Sequence, residues 1–218
     1  MTSPLETVRK NIHTAAINSG RPAEDVTLVA VSKTKPIDAI TPILDQGQRV
    51  FGENKVQEAA EKWPELCARY DSVQLHLIGP LQSNKVRAAI QLFDVIETLD
   101  RPKLARAFAR ISQEENKYCD YYIQVNVGRE DQKAGIDPDA VDSFVALCRD
   151  ELKLSVVGLM CIPPVGQDPA PYFAELKAIA ARNGLDKLSM GMSGDYPCAI
   201  QCGATSVRVG TALFGKRL

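Results

Sequence analysis

The sequence predicts an α/β protein: one eight-stranded parallel (β/α)8 barrel of the TIM type, with an extra N-terminal helix. Three observations predict it. Eight short apolar runs rich in β-branched residues alternate with helix-like segments along the chain. The joints are short, and no linker, low-complexity run or charge block divides residues 1–218, so a single domain is expected. The first strand lacks the Gly-x-Gly-x-x-Gly turn of an open dinucleotide-binding sheet and ends instead in Ser32-Lys33-Thr34-Lys35-Pro36. Parallel strands need crossover helices, and a count of eight favours closure, although 218 residues is near the lower end for a barrel.

Residues 4–19 read as an opening amphipathic helix. The first strand, VTLVAVSK (26–33), is an aliphatic run suited to burial on both faces. Pro36 can open the next helix, expected over about 37–46. RVFGE (49–53) then leads to a helix at 54–69, and VQLHLIG (73–79) to one at 83–91. FDVIETL (93–99) precedes a helix at 102–116, and DYYIQVNV (120–127) one at 138–150. KLSVVGLM (153–160) is followed by 169–183 and LDKLSMG (185–191) by 195–202, while TSVRVG (205–210) completes the set.

Bulk properties exclude several function classes. Lys and Arg number 26 against 27 Asp and Glu, so nothing electrostatic recommends nucleic acid or an anionic membrane as partner. No apolar stretch approaches a membrane span, and the acidic, polar N-terminus is no secretory signal, so a cytoplasmic location is expected. Cys67, Cys119, Cys148, Cys161, Cys198 and Cys202 form no C-x-x-C pair, and the chain has two histidines. No metal site is expected, and reduced, packed thiols suit a cytosolic protein.

In a barrel, the residues at the carboxyl ends of the strands gather around one mouth. Here they are Lys33, then Gly52-Glu53-Asn54, then His76 with Gly79. Asn126, Met160, Gly191-Met192-Ser193 and Arg208 with Gly210-Thr211 come from the later strands. SMGMSGD and RVGTALFG place glycines and hydroxyls where the last two strands turn into helices, which is where barrels often hold a phosphate. Arg208 lies between Val207 and Val209, so alternation turns it to the opposite face from the valines. Buried, it needs an acceptor: an internal carboxylate such as Glu53 or Glu97, or an atom of a ligand. Lys33 is then a salt-bridge partner, an anion clamp, or an amine that reacts with a carbonyl. Pyridoxal phosphate needs an amine for its aldehyde, donors for its phosphate and a partner for its ring nitrogen. An arginine partner leaves that nitrogen unprotonated and the ring a weaker electron sink, which suits binding or racemase-like proton transfer.

VAVSKTKP, FGENKVQE, HLIGPLQSNK, GLMCIPP, LSMGMSGD and SVRVGTALFG together resemble the YggS/PROSC family of pyridoxal phosphate homeostasis proteins, over essentially the whole chain. The resemblance implies a barrel similar to the N-terminal domain of alanine racemase, with pyridoxal 5'-phosphate as a Schiff base on Lys33 and Arg208 facing the pyridine nitrogen. It implies Ser193, Gly210 and Thr211 around the phosphate, with Gly191 and Met192 shaping that turn. Asn54 and Met160 would lie beside the ring, and His76 would line the pocket. The family resembles a monomeric carrier that keeps free cofactor low and available, with PLP-dependent apo-enzymes as its partners and without robust catalysis. The alternative is a weak amino-acid racemase. Two-base racemases need a second acid/base, usually tyrosine, and Tyr196 is the one tyrosine near an expected mouth loop. Gly194, Pro197 and Gly128-Arg129 depart from the commoner family pattern and bear on loop shape.

Overall fold

The structure, a computed structural model, describes residues 2–215. Eight parallel strands close into a barrel in sequence order. They are β1 (Thr27–Val31), β2 (Val50–Glu53), β3 (Gln74–Leu77), β4 (Val95–Leu99), β5 (Asp120–Val125), β6 (Ser155–Cys161), β7 (Lys187–Ser189) and β8 (Ser206–Val209). β8 pairs back onto β1, with Thr27 opposite Ser206 and Ala30 opposite Val209. Closure leaves no free strand edge.

Helix α1 (Pro4–Asn18) opens with a capping box, in which Ser3 Oγ accepts from Glu6 N at 3.1 Å and Ser3 N donates to the Glu6 carboxylate at 2.7 Å. The outer layer is α2 (Ile37–Asp45), α3 (Val56–Arg69), α4 (Val86–Leu92), α5 (Pro102–Glu115), α6 (Val141–Ala146), α7 (Ala170–Arg182) and α8 (Tyr196–Gln201). A one-turn helix, α9 (Thr211–Phe214), follows β8. The buried stripe of α1, including Leu5, Val8 and Ile12, belongs to the main core, and the helix packs on α8 and α9.

Alternation along the strands divides the apolar side chains in two. Leu75, Leu77, Ile96, Val207 and Val209 join the main core between strands and helices. Val95, Tyr122 and Met160 form a small separate cluster inside the barrel. The interior also holds the buried polar side chains His76, Glu97, Ser189 and Arg208, which set up the site described below. The six cysteines are free thiols, and burial pushes Cys119, Cys148 and Cys161 up to about 12.

The expected elements are present, with differences at their ends. β1 stops at Val31, so Lys33 lies in a turn and not in the strand. The helix expected over 138–150 is three pieces: a 3-10 turn Pro138–Ala140, α6, and a π turn Leu147–Glu151. In the last piece Leu152 N reaches back five residues to Leu147 O at 3.0 Å. The sequence reading had no helix at α9.

Candidate functional site

The turn carrying Lys33 is held from several sides. Ser32 is fully buried and continues the ladder, its amide donating to Gly52 O at 3.1 Å and its hydroxyl to Glu53 Oε1 at 2.7 Å. Thr34 then adopts a left-handed conformation (φ 62°), unusual for a β-branched residue. From α3, Lys62 donates to Ser32 O at 3.2 Å and Lys35 O at 3.3 Å while pairing with Glu53 and Glu58, each at 2.8 Å. Glu58 also accepts from Thr34 N, and Trp63 Nε1 donates to Glu53 Oε1 at 3.1 Å. Lys35 Nζ reaches Phe214 O of α9 at 3.0 Å. A turn braced on both shoulders fixes where the Lys33 side chain starts.

Lys33 lines a cavity of about 290 Å³ at the carboxyl end of the barrel. Asn54 and Arg208 supply further polar groups, and Val31, Ile78 and Ile162 supply apolar walls. The far wall is made by two turns, Met192-Ser193-Gly194 after β7 and Gly210-Thr211 after β8. Ser193 joins them, its Oγ accepting from Gly210 N at 3.3 Å and Ala212 N at 3.5 Å. The Ser193 hydroxyl and two backbone amides are thus gathered at one corner of the cavity, groups of the kind that bind an oxyanion. Asn54 Oδ1 is buried here with no hydrogen-bond partner among the described residues.

Arg208 is 5% exposed and anchored in the barrel interior. Its Nη1 donates to Ser189 Oγ at 2.6 Å and its Nη2 to Cys161 O at 2.8 Å. Ser189 Oγ donates to Glu97 Oε2 at 2.6 Å, and that oxygen lies 3.7 Å from Arg208 Nη1. The other Glu97 oxygen meets His76 Nδ1 at 2.7 Å. Burial pushes the Glu97 carboxyl up, but the hydrogen bond and charge of His76, with Arg208 and Ser189, outweigh it and hold the group below its ordinary value. The internal acceptor for Arg208 is therefore Glu97. Glu53 shares its strand face with Phe51, turned towards Trp63 and the helix layer.

Of the residues singled out in the sequence, the cavity brings together Lys33, Asn54, Met192, Ser193, Arg208, Gly210 and Thr211. Met160 does not line it, lying fully buried in the barrel beside Val95 and Tyr122. His76 does not reach it either: it sits within β3, inside the barrel, and lines a second cavity at the opposite end. Gly191 underlies the turn, where φ is +94° and a Cβ would come within 2.6 Å of Ala199 Cβ. Asn126 closes its own loop by bonding Glu130 backbone in both directions, at 2.9 and 3.3 Å. Gly194 has open space around it, and Pro197 occupies the first turn of α8, where proline is tolerated. Tyr196 is 4% exposed, with its hydroxyl accepting from Asn11 Nδ2 at 3.0 Å, and it does not line the cavity.

The sequence reading missed Lys62, Glu58 and Ser189. Lys62 carried a signal, because it falls on the α3 stripe Ala59, Lys62, Trp63, Leu66, where a charge demands a partner. Ile78 and Ile162 carried none beyond lying near strand ends.

The family model described as "Alanine racemase, N-terminal domain" matches residues 4–217. A pyridoxal phosphate homeostasis protein of Pasteurella multocida is 39% identical over 223 residues, covering 98% of this chain and 96% of the other. This chain belongs to the pyridoxal phosphate homeostasis protein family. Another member, from Escherichia coli, is 40% identical over 226 residues, covering 98% of this chain and 95% of its own. Among solved structures, PipY of Synechococcus elongatus, determined with PLP bound, is 37% identical with a TM-score of 0.82, covering 94% of this chain and 99% of PipY.

Proposed function

We propose that this chain binds pyridoxal 5'-phosphate on Lys33 as a Schiff base and serves intracellular cofactor homeostasis in the cytoplasm. The observation that carries the proposal is the cavity itself. It offers an amine on a braced turn, a buried guanidinium, and a hydroxyl with two amides on the far wall. These match the cofactor's aldehyde, ring nitrogen and phosphate. The cofactor, when bound, supplies an electrophilic carbon and a π-system that withdraws electrons.

In this reading Lys33 holds the aldehyde carbon and Arg208 donates to the ring nitrogen. Ser193, Gly210 and Thr211 bind the phosphate, Gly191 and Met192 set the turn, and Asn54 lies beside the ring. Met160 and His76 act from inside the barrel, supporting the floor and not touching the ligand. Glu97 and Ser189 hold Arg208 in orientation, and a guanidinium gives the ring nitrogen a hydrogen-bond donor and no transferable proton. The remaining partners are PLP-dependent apo-enzymes that take up the cofactor. The chain acts as one domain and as a monomer, with neither nucleic acid nor membrane as partner.

The placement of Tyr196 favours a carrier over a two-base racemase, since its hydroxyl is engaged with α1. Reduction of the PLP-loaded protein with borohydride, followed by peptide mass spectrometry, tests the anchor. The adduct is expected on Lys33 and is expected to vanish in Lys33→Ala; an adduct spread over surface lysines would defeat the proposal. Chiral chromatography of alanine incubated at high protein concentration tests the second half. Turnover that Lys33→Ala abolishes would establish the racemase reading instead.

A further inference from the structure

The turn that presents Lys33 has a conformation its own sequence does not favour. Lys35 N donates to Ser32 O at 3.1 Å, closing a four-residue β-turn with Lys33 and Thr34 at its centre. Thr34 has φ 62°, and Lys33 does not share the left-handed conformation. That combination is a type II turn, whose third position is normally glycine or asparagine. A β-branched threonine there is strained, and type I would relieve it. The two types differ by turning over the central peptide, here the one joining Lys33 to Thr34.

One i,i+4 pair on α3 supplies what the turn lacks. Glu58 accepts from Thr34 N, the amide of that central peptide. Lys62 donates to Ser32 O at 3.2 Å and Lys35 O at 3.3 Å, the carbonyls at the two ends of the turn, and pairs with Glu58 at 2.8 Å. Turned over into type I, the central peptide would aim Lys33 O at the Glu58 carboxylate. Glu58 therefore selects type II. The selection reaches the lysine side chain, because ψ of Lys33 differs between the two types and rotamers depend on φ and ψ.

We propose that Glu58 is a positioning residue for cofactor binding: by holding Thr34 left-handed, it keeps the Lys33 amine where it meets the aldehyde. The inference rests on Lys33 being the anchor. Glu58 does not line the mouth cavity, so it acts through the turn. Lys62 keeps its pair with Glu53 at 2.8 Å when Glu58 is replaced, so no charge is stranded and the fold is retained.

The test begins with full-length wild type, loaded with PLP, reduced with borohydride and mapped by mass spectrometry. An adduct on Lys33 is expected; its absence would overturn the anchor assignment and this proposal with it. Spectrophotometric PLP titrations then compare variants, with urea melts to verify folding. Glu58→Met, which keeps the stem and removes the acceptor, is expected to weaken PLP binding about tenfold. Loss of a carboxylate would by charge alone favour an anionic cofactor, so the expected sign opposes a simple field effect. Glu58→Gln loses the charge but keeps an acceptor for Thr34 N, and is expected to stay within about twofold of wild type. Adding Thr34→Gly to Glu58→Met is expected to restore binding to within about threefold of wild type, since glycine takes up the left-handed conformation unaided. General loosening of the structure would not be repaired by a glycine. With the wild-type adduct on Lys33, three results would each overturn this proposal alone: unchanged binding in Glu58→Met, equal loss in Glu58→Gln, or no recovery on adding Thr34→Gly.

Discussion

Lys62 shows how a single side chain links fold to site. Its ammonium is 8% exposed in the residue and lies among four oxygens: two carboxylates and two carbonyls of the Lys33 turn. Removing one partner of such a pair leaves the other charge buried alone. Lys62→Ala is therefore expected to cost about 3–5 kcal/mol, read from urea unfolding, because Glu53 is then stranded. Glu97 makes the corresponding prediction in pH. Its folded pKa is lowered, so its contribution is fully present above the ordinary value of 4.5 and is lost as pH falls through the lower folded value. Urea midpoints of the wild type and Glu97→Gln should differ at pH 7, and the gap should narrow on acidification below pH 4.5. A constant gap would show that the ionised carboxylate contributes nothing. At this scale the sequence was legible where a residue was chemically out of place. Lys33 and Arg208 stood out among aliphatic neighbours, but the partner of Arg208 stayed open between Glu53 and Glu97. Alternation says which residues share a face, as Glu53 does with Phe51 and Glu97 with Val95. It does not say which face is the interior.

At the scale of elements, turns decide the shape of the mouth. The turn after β3 presses on the end of β2 so closely that a Cβ on Gly79 would lie 2.3 Å from Asn54 O. Gly79→Ala is expected to cost about 1–3 kcal/mol by forcing that backbone apart. It should also weaken PLP binding, because Asn54 borders the cavity. Gly194→Ala is the control: its Cβ meets nothing within 4 Å, so stability should stay within about 0.5 kcal/mol. Parallel urea melts check both stabilities, and a spectrophotometric PLP titration checks the binding loss in Gly79→Ala. Long periodic helices such as α5 and α7 were readable almost to the residue, since an apolar stripe over several turns is a strong signal. The one-turn α9 and the π turn after α6 were not, because four or five residues contain too little of any period.

For the molecule as a whole, closure of the sheet ties each part of the mouth to every other. Ligand that binds the folded state alone stabilises it by mass action, by about 2.7 kcal/mol at a hundredfold excess over Kd. For a chain of this size that corresponds to a rise in Tm of roughly 5–10 °C. Differential scanning fluorimetry with added PLP should show this rise in the wild type and a much smaller one in Lys33→Ala. The barrel itself was legible from eight strands and a missing dinucleotide fingerprint. Depth within the barrel was not. Strands in a closed barrel are tilted and staggered, so equal distance from a strand end is not equal height along the axis. That is why His76 was expected at the mouth and lies towards the other end.

The chain has one tryptophan. Trp63 is fully buried, and its indole bonds the same Glu53 oxygen that receives the Ser32 hydroxyl just before Lys33. The barrel thus carries a built-in fluorophore wired to its anchor. Emission from this one ring registers unfolding, and it also registers any change in the brace behind the lysine, with no label attached.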